Sequence, residues 1–430
     1  MGIIGKLEKR MALGAIDDSW YQPGGSFYGA IGRQTKAGAP VSEYNAMQLS
    51  VVWACIKILS EDSASLPLHL YRRRKSGGKD RAWADDRYSL MHDTPNPEMT
   101  AMSFRETFAS HLLSWGNAYA EKERTGGRIN RVVALWPITP NRVTPRRNQA
   151  KKIEYKVDLY FNNGTFGIDA MSNAGAREAV ILPKENMIHT PGLSFNGLFG
   201  YSPISAAREA IGLGMALEEF GERYFGDGLH PSAVVTHPGQ VKDVKAMREA
   251  FNEVYGGLGN THRLMLLEDG MKIEKIGIPP EDSQFLETRK FQNIDIGTRI
   301  YRLPPQMYGE YDKASTYASA EQFAIDYVTK TLRAWLVRLE QSYNMSLLDP
   351  SEYGVYFWEH NVEGLLRGDI ETRYKAYVLG KRNGFLNADE VREKENLNPI
   401  PEGRGQEFIV EKNMIGIDDL GKDITPAGAV

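Results

Sequence analysis

The stretch LPPQMYGEYDKAST, residues 303–316, decides the fold. Its double proline, Pro304-Pro305, ends one predicted amphipathic helix, because proline lacks the backbone N–H that a helix interior needs. The small and polar residues that follow predict a loop, and a longer amphipathic helix then runs to about Leu348. The apolar stripe of that helix is Ala324, Val328, Leu332, Trp335 and Leu339. A loop between two stiff helices, without residues suited to catalysis, indicates a mechanical element.

Another long helix is predicted upstream, over residues 203–226. Ser202 is its N-cap and Pro203 takes the first helical position, where these residue types are preferred. One apolar stripe follows at helical spacing: Ala206, Ala210, Leu213, Leu217, Phe220 and Tyr224. At the usual rise per residue, this segment forms a rod of roughly 36 Å.

The helix that ends at the double proline is predicted to begin near residue 281. Acidic residues in its first turn suit the helix dipole, and Phe291, Ile294, Thr298 and Tyr301 mark one face. The intervening residues 227–280 predict a small αβ insert, with Asp269-Gly270 as a hairpin turn. The simplest arrangement is an antiparallel helix pair with this insert at its far end.

The rest of the chain has the pattern of an α+β protein. Helical periodicities and alternating strand patterns, separated by Gly, Pro and Asn turns, run from residue 41 to about residue 202 and predict antiparallel pairing. A strand and two short helices across Gly384 follow the longest helix. Residues 1–40 are glycine-rich and predict a flexible arm, and the tail after Gly405 is expected to be loosely ordered.

Composition excludes several classes of protein. The 430 residues carry 52 basic and 55 acidic side chains, a net charge of −3, whereas tight nucleic-acid binders usually have a basic excess. The chain is therefore not expected to hold DNA strongly, although this charge does not exclude that DNA passes along it. The single cysteine, Cys55, permits no intramolecular disulfide and fits a small buried side chain in a reducing compartment. No apolar run approaches the roughly 18 residues of a membrane span.

Motifs for chemistry are missing or incomplete. Gly77-Gly78-Lys79 lacks the leading glycine and the hydroxyl residue of a phosphate-binding loop. His360 with Glu363 offers two metal ligands at most, and His189 is better explained as a structural histidine. A metal-dependent nucleic-acid enzyme would need clustered carboxylates, for which the adjacent pair Asp85-Asp86 is the candidate to test. A ring-forming assembly scaffold is the other alternative.

Several separated blocks, in order, carry a resemblance that covers roughly residues 40–405. Among them are Gly116-Asn117-Ala118-Tyr119, Gly200-Tyr201-Ser202-Pro203, Leu303-Pro304-Pro305 and Gly384-Phe385-Leu386-Asn387. In these blocks the chain resembles the portal proteins of tailed double-stranded DNA phages, in the lineage with long non-contractile tails. It departs from the family pattern at Ala334, where a proline is expected, and this bears on a kink in the long helix.

The resemblance implies a portal fold in a ring of probably twelve subunits. After the arm (1–40), its parts would be the first part of the wing (41–202), stem helix 1 (203–226), the clip (227–280), stem helix 2 (281–303), the tunnel loop (304–318), the long helix with the second part of the wing (319–368), the crown (369–405) and the tail (406–430). The ring would sit at one capsid vertex of the virion after assembly in the host cytoplasm, as a structural protein without enzymatic activity, cofactor or metal.

The resemblance also implies partners and sites. Duplex DNA would pass the tunnel-loop residues Glu310, Tyr311, Asp312, Lys313, Ala314 and Ser315, where Glu310 and Asp312 oppose Lys313 and no net attraction builds up. The terminase large subunit, and later the head–tail adaptor, would dock at the clip residues Arg263, Glu268, Asp269 and Lys272. The major capsid protein or a scaffold would complete the contacts, and no membrane is involved.

Overall fold

The computed structural model describes residues 33–75, 77–126, 130–159, 178–226, 233–236, 245–246, 249, 272–275, 282–310, 320–362, 365, 370–395 and 397–409. The chain divides into two compact units. Met1–Thr316 and Tyr327–Val362 form the first, and Tyr317–Asp326 and Glu363–Val430 form the second. Helices occur together with antiparallel strands, as the α+β prediction requires.

The described helices include one at Asp86–His92 that the sequence pattern did not predict. They are α1 (Ser50–Ser65), α2 (Asp86–His92), α3 (Ala101–Trp115), α4 (Pro203–Ala206), α5 (Arg208–Gly226), α6 (Asp282–Ile294), α7 (Ala320–Tyr327), α8 (Arg333–Leu347), α9 (Ile370–Arg382) and α10 (Ala388–Lys394). Two π-helical segments interrupt the regular geometry. Asp295–Ile300 directly follows α6, and Val328–Leu332 lies between α7 and α8.

The described strands pair antiparallel throughout. They are β1 (Arg33–Gln34), β2 (Pro40–Val41), β3 (Leu68–Arg73), β4 (Lys79–Arg81), β5 (Asn117–Arg124), β6 (Val132–Ile138), β7 (Val143–Arg147), β8 (Ile153–Leu159), β9 (Glu178–Pro183), β10 (Met187–Pro191), β11 (Ala233–Thr236), β12 (Lys272–Lys275) and β13 (Tyr356–His360). Three three-stranded sheets have the orders β10-β5-β6, β13-β3-β4 and β7-β8-β9, and β1-β2 and β11-β12 are two-stranded.

The larger core of the first unit lies between helices and two of these sheets. α3 contributes Phe104, Phe108 and Leu112, whose spacing of four residues places them on one helix face. β3 and β13 contribute Leu70 and Trp358. Further along the chain, Leu339, Tyr343 and Leu347 of α8 complete the same core, so the C-terminal half of the long helix is fixed by burial.

The end of the predicted arm is part of the fold. Residues 1–32 lie outside the described residues, but residues 33–41 form the β1–β2 hairpin. Thr35 is buried, and its side chain lies so close to Gly212 of α5 that a Cβ there would approach its methyl carbon to 2.5 Å. The backbone N–H of Lys36 donates to Glu209 of α5. Residues 33–40 therefore pack on α5, although the sequence predicted a flexible arm there.

The predicted single rod over 203–226 is two helices. Ser202 is the N-cap as predicted, and its hydroxyl accepts from the Ser205 N–H at 3.0 Å. After one turn, however, Ala207 takes φ −97° and ψ 15°, outside the helical range, and α4 ends. α5 begins at the next residue.

The second unit is built around α9 and α10. Asn387 and Glu390 form a capping box at the start of α10, in which each side chain accepts from the other residue's backbone N–H. Arg373 of α9 forms an ion pair with Glu395 at 2.7 Å, and the Tyr377 hydroxyl donates to the same carboxylate. These contacts join the two short helices. In the part of the chain that the structure describes, no helix is both long and apolar enough to cross a bilayer.

Candidate functional site: the helix pair and the base of the loop

α5 and α6 pack closely along one face. Gln292 of α6 donates to the Ala210 carbonyl at 2.8 Å, and Arg289 pairs with Glu218 at 3.1 Å. As the chain rises along α5 its partners on α6 descend, which is the order of an antiparallel pair. Gly214 lies within this contact, where an added Cβ would stand 3.6 Å from Gln292 and from Ile296. Both are ordinary van der Waals distances, and the tight contact of such a Cβ would be with Leu49 at 3.1 Å, so the glycine makes room for Leu49.

The buried faces of these helices differ from the predicted ones. On α5, Ile211, Gly212 and Gly214 are buried, whereas Leu213 and Phe220 of the predicted stripe are 43% and 47% exposed. On α6, Gln292 is buried, but Phe291 is 59% exposed and Leu286 62%. Of the second predicted face, Tyr301 is buried. Part of each predicted apolar face is therefore exposed in a single copy, at Leu213 and Phe220 of α5 and at Phe291 of α6, whereas Tyr301 is buried.

Two short strands of the segment between the helices form an antiparallel sheet. β11 pairs with β12, so that Ala233 lies opposite Lys275 and Thr236 opposite Lys272. Residues 233–236 and 272–275 of this segment therefore lie side by side. Lys272, one of the predicted docking residues, is exposed on this sheet. The other three, Arg263, Glu268 and Asp269, lie outside the described residues.

The base of the loop is fixed onto the π-helical segment after α6. The Leu303 N–H donates to the Gly297 carbonyl at 3.1 Å, and the Thr298 hydroxyl donates to the Leu303 carbonyl at 3.2 Å. Tyr308 packs over Gly297, where an added Cβ would approach its ring to 2.5 Å, and its hydroxyl lies 3.0 Å from that of Thr298. A glycine at position 297 therefore leaves the space that the Tyr308 ring occupies.

Glu310 belongs to this fixed base. Its side chain is half-buried and accepts from the Asn293 amide of α6 at 2.9 Å. The other predicted tunnel-loop residues, Tyr311, Asp312, Lys313, Ala314 and Ser315, lie outside the described residues. The hydrogen bond to Asn293 therefore attaches the chain to α6 as far as residue 310.

The helix after the loop is also tied to the loop base. Thr331, in the second π-helical segment, is buried and donates to the Arg302 carbonyl at 2.6 Å. Arg302 has φ +60°, a left-handed conformation that non-glycine residues seldom adopt. The hydrogen bond thus holds a strained residue at the point where the chain turns from α6 into the loop.

A carboxyl–phenol contact anchors the same helix to α1. The Tyr327 hydroxyl donates to Asp62 at 2.6 Å. Burial raises the pKa of the Asp62 carboxyl, although the Tyr327 hydrogen bond opposes this effect. Burial also raises the pKa of Tyr327, and the Asp62 charge adds to it. The carboxyl and the phenol hydrogen-bond to each other. This contact therefore attaches the helix to α1, and neither group is available as an acid or a base.

Blocks separated by more than 80 residues meet at the start of α4. Asn117 accepts from the Gly200 N–H at 2.9 Å and donates to the Gly200 carbonyl at 2.8 Å, and its side-chain oxygen lies 3.1 Å from His189 Nε2. Burial lowers the pKa of His189 to about 3, with a smaller contribution from Lys184. His189 is therefore a neutral structural histidine, as predicted. Sequence reasoning identified these residues as separate blocks but not their contact.

The acidic pair proposed for an enzyme has structural partners. Asp85 is the N-cap of α2 and pairs with Arg87 at 2.6 Å. Burial opposes ionisation of Asp85, but the hydrogen bonds and charge of Arg87 outweigh it and lower its pKa. Asp86 pairs with Arg131. Within the described residues, no three of His, Cys, Asp or Glu come together as a metal site.

These features define a structural subunit, in which helices with solvent-facing apolar faces carry a loop with a fixed base. Residues 50–396 match the family described as phage portal protein. The chain is 31% identical over 425 residues to the probable portal protein of Streptomyces phage phiC31, covering 96% of this chain and 88% of that protein. It is 27% identical over 391 residues to the portal protein of Enterobacteria phage HK97, covering 90% and 87%.

The fold is similar to solved structures as well. A chain in the neck of an empty GTA particle, computed with C6 symmetry, matches with a TM-score of 0.55 and 18% identity, over 85% of this chain and 98% of that one. The chain belongs to the phage portal protein family. The predicted resemblance to portal proteins of tailed phages is thereby confirmed.

Proposed function

We propose that copies of this chain form a ring at one vertex of a phage capsid, and that genomic duplex DNA enters and leaves through it. The observation that carries the ring is the exposure of apolar side chains on both helices, Leu213 and Phe220 on α5 and Leu286 and Phe291 on α6, in a chain of the portal family. Single apolar side chains in water are common. Four of them on two helices that already pack together indicate a surface for another copy.

The two faces favour a closed ring over a dimer. They belong to different helices, and a contact between unlike surfaces adds copies head to tail until the rotation closes. The match to a chain from a symmetric particle neck supports this arrangement. Twelve subunits remain the expectation from the family resemblance.

Parts of the subunit have separate tasks in this proposal. The α5–α6 pair is the stem, residues 227–280 are the clip that docks the terminase and the adaptor, and residues 311–318 with the loop base face the DNA. The wing contacts the capsid protein or a scaffold, and residues 369–405 form the crown. The ring acts by holding and guiding DNA, without catalysing a reaction.

Imaging and native mass spectrometry of the purified protein test the ring. We expect wild-type rings with an open centre at micromolar concentration. Phe291→Glu places a charge on the exposed face of α6 and should yield smaller species with an unchanged melting temperature. Val133→Glu, on an exposed position of β6, is the matched control and should leave the rings intact. A wild-type monomer at all salt concentrations, or rings without an opening, would contradict the proposal.

A further inference from the structure

A basic groove lies on the β7–β8–β9 sheet, apart from the helices described above. It has a volume of about 490 Å³ and is formed by the turn that joins β7 to β8 and by the end of β9. Four cationic side chains line it, together with two carboxylates: Arg147, Lys151, Lys152 and Lys184, and Glu154 and Glu185. The lining therefore carries two more positive than negative charges, in a chain with a net charge of −3.

The charges of these four side chains are not neutralised by the fold. Among the described residues, none of the four has a carboxylate within the 4.0 Å of an ion pair. Their neighbours on the same strands do, since Arg146 pairs with Glu154 at 2.7 Å and Lys156 with Asp158 at 3.1 Å. The sheet therefore pairs its other cations and leaves those of the groove in contact with solvent.

The turn that carries two of the lysines is held by its own hydrogen bonds. The Asn148 carbonyl accepts from the Lys151 N–H at 2.8 Å, and the Asn148 side chain accepts from the Lys152 N–H at 3.0 Å. The Arg147 guanidinium donates to the Lys151 carbonyl at 2.9 Å. These bonds fix the backbone from which the cationic side chains project.

Lys151 occupies a position that suits glycine better. Its φ is +61°, in the left-handed region where a Cβ is unfavourable and glycine is the usual residue. A lysine held in such a conformation indicates that its side chain has a use, because strained backbone persists at functional positions. The charge and the strain are independent observations on the same turn.

We propose that this groove binds the phosphate groups of a duplex DNA backbone. Ammonium and guanidinium groups bind phosphate through charge-assisted hydrogen bonds. No aromatic side chain is among the described residues that line the groove, so it offers no surface on which bases can stack. Binding is therefore independent of sequence, and four contacts make it weak and sensitive to salt.

The proposal does not depend on the ring or on the tunnel loop. A subunit that fails to assemble still carries the groove, and a ring without a DNA site still assembles. The absence of rings in images and the absence of DNA binding are therefore separate outcomes, so each proposal can fail without the other. The weak contact also agrees with the near-neutral chain as a whole, since a tight hold would resist DNA movement.

Fluorescence anisotropy with a labelled duplex of about 30 base pairs tests the groove, in a series of salt concentrations. We expect the double variant Lys152→Gln/Lys184→Gln to bind more weakly and to lower the salt slope by about two, one unit for each lost phosphate contact. Lys57→Gln/Lys375→Gln removes the same charge from exposed helix positions and should change neither. An equal loss in both double variants, or an unchanged slope in the first, would overturn the proposal.

Lys151→Gly separates binding from folding. It removes a cation and relieves the left-handed backbone, so DNA affinity should fall while the urea midpoint stays the same or rises. Loss of both affinity and stability would assign Lys151 to the fold and count against the site. Competition experiments with inorganic phosphate and with polyglutamate identify the ligand. If the groove binds inorganic phosphate but not the duplex, or binds polyglutamate as tightly as the duplex, the assignment to DNA is overturned.

Discussion

At the scale of single residues, Gly116 has the strictest requirement. Its φ is +71°, and an added Cβ would approach the Tyr201 carbonyl oxygen to 1.9 Å. We expect Gly116→Ala to lower the free energy of unfolding by more than about 3 kcal/mol, because backbone strain and overlap with a rigid carbonyl act together. Urea unfolding monitored by circular dichroism measures the change.

The control for this substitution is Gly38→Ala. Gly38 has φ +87° but open space around its Cβ position, so only the conformational term remains and the loss should be about 1 kcal/mol. Equal losses for the two variants would show that the approach of residues 116 and 201 is less tight in solution than in the structure.

Buried histidines make stability depend on pH. Burial lowers the pKa of His111 to about 4, whereas an unfolded histidine titrates near 6.5. Below pH 6.5 the unfolded state binds more protons, so the free energy of unfolding falls as the pH drops from 6.5 toward 4. At pH 5 this single group accounts for on the order of 2 kcal/mol.

His111→Leu should reduce this acid sensitivity. The His111 Nδ1 atom is buried and has no hydrogen-bond partner among the described residues, so an apolar replacement of similar size leaves no partner unpaired. Urea midpoints at pH 7 and pH 5 should differ less for the variant than for the wild type. A parallel decline in both proteins would assign the acid effect to other groups.

At the scale of elements, local signals were readable from the sequence and tertiary contacts were not. The Ser202-Pro203 helix start was predicted because capping uses neighbouring residues. The contact of Asn117 with Gly200 joins residues 83 apart, and no spacing rule indicates it. The apolar stripe of α5 was identified correctly as apolar, but periodicity does not distinguish burial within a chain from burial between copies.

The long helix contains an irregularity that the sequence did not indicate. The family pattern has a proline where this chain has Ala334, which left a kink in doubt. The structure instead has a π-helical segment at Val328–Leu332, where the i→i+5 bonding inserts an extra residue into the turn. Regular helical bonding is therefore interrupted just before residue 334 without a proline.

Deleting Thr329 tests this interpretation. The shortened segment should form an ordinary α-helical turn, so that Leu332 and Leu336 keep their buried face, and the free energy of unfolding should change by no more than about 1 kcal/mol. Deleting Val337, an exposed residue of the regular α8, rotates Leu339 and Tyr343 out of the core and should cost more than about 4 kcal/mol. Thermal melts of both variants measure these losses of stability. Equal damage would show that the π-helical geometry itself is needed.

At the scale of the whole molecule, the proposal assigns assembly and DNA passage to different parts of the chain. The proposed ring contacts are on α5 and α6, whereas the base of the loop is held by the contact of Glu310 with Asn293, and the returning helix by that of Thr331 with Arg302. Neither of these two hydrogen bonds involves residues 312–315. We therefore expect changes at residues 312–315 to leave the surfaces that join the copies in place.

Deleting Asp312–Ser315 should accordingly leave the rings intact and impair DNA packaging. Negative-stain images count the rings, and DNA protected from nuclease inside capsids measures packaging. Replacing the same four residues with Gly-Ser-Gly-Ser keeps the length of the loop and removes the charges of Asp312 and Lys313, so it should package better than the deletion. Because the anchors at 310 and 331 are present in both variants, loss of rings in either one would show that the loop takes part in assembly.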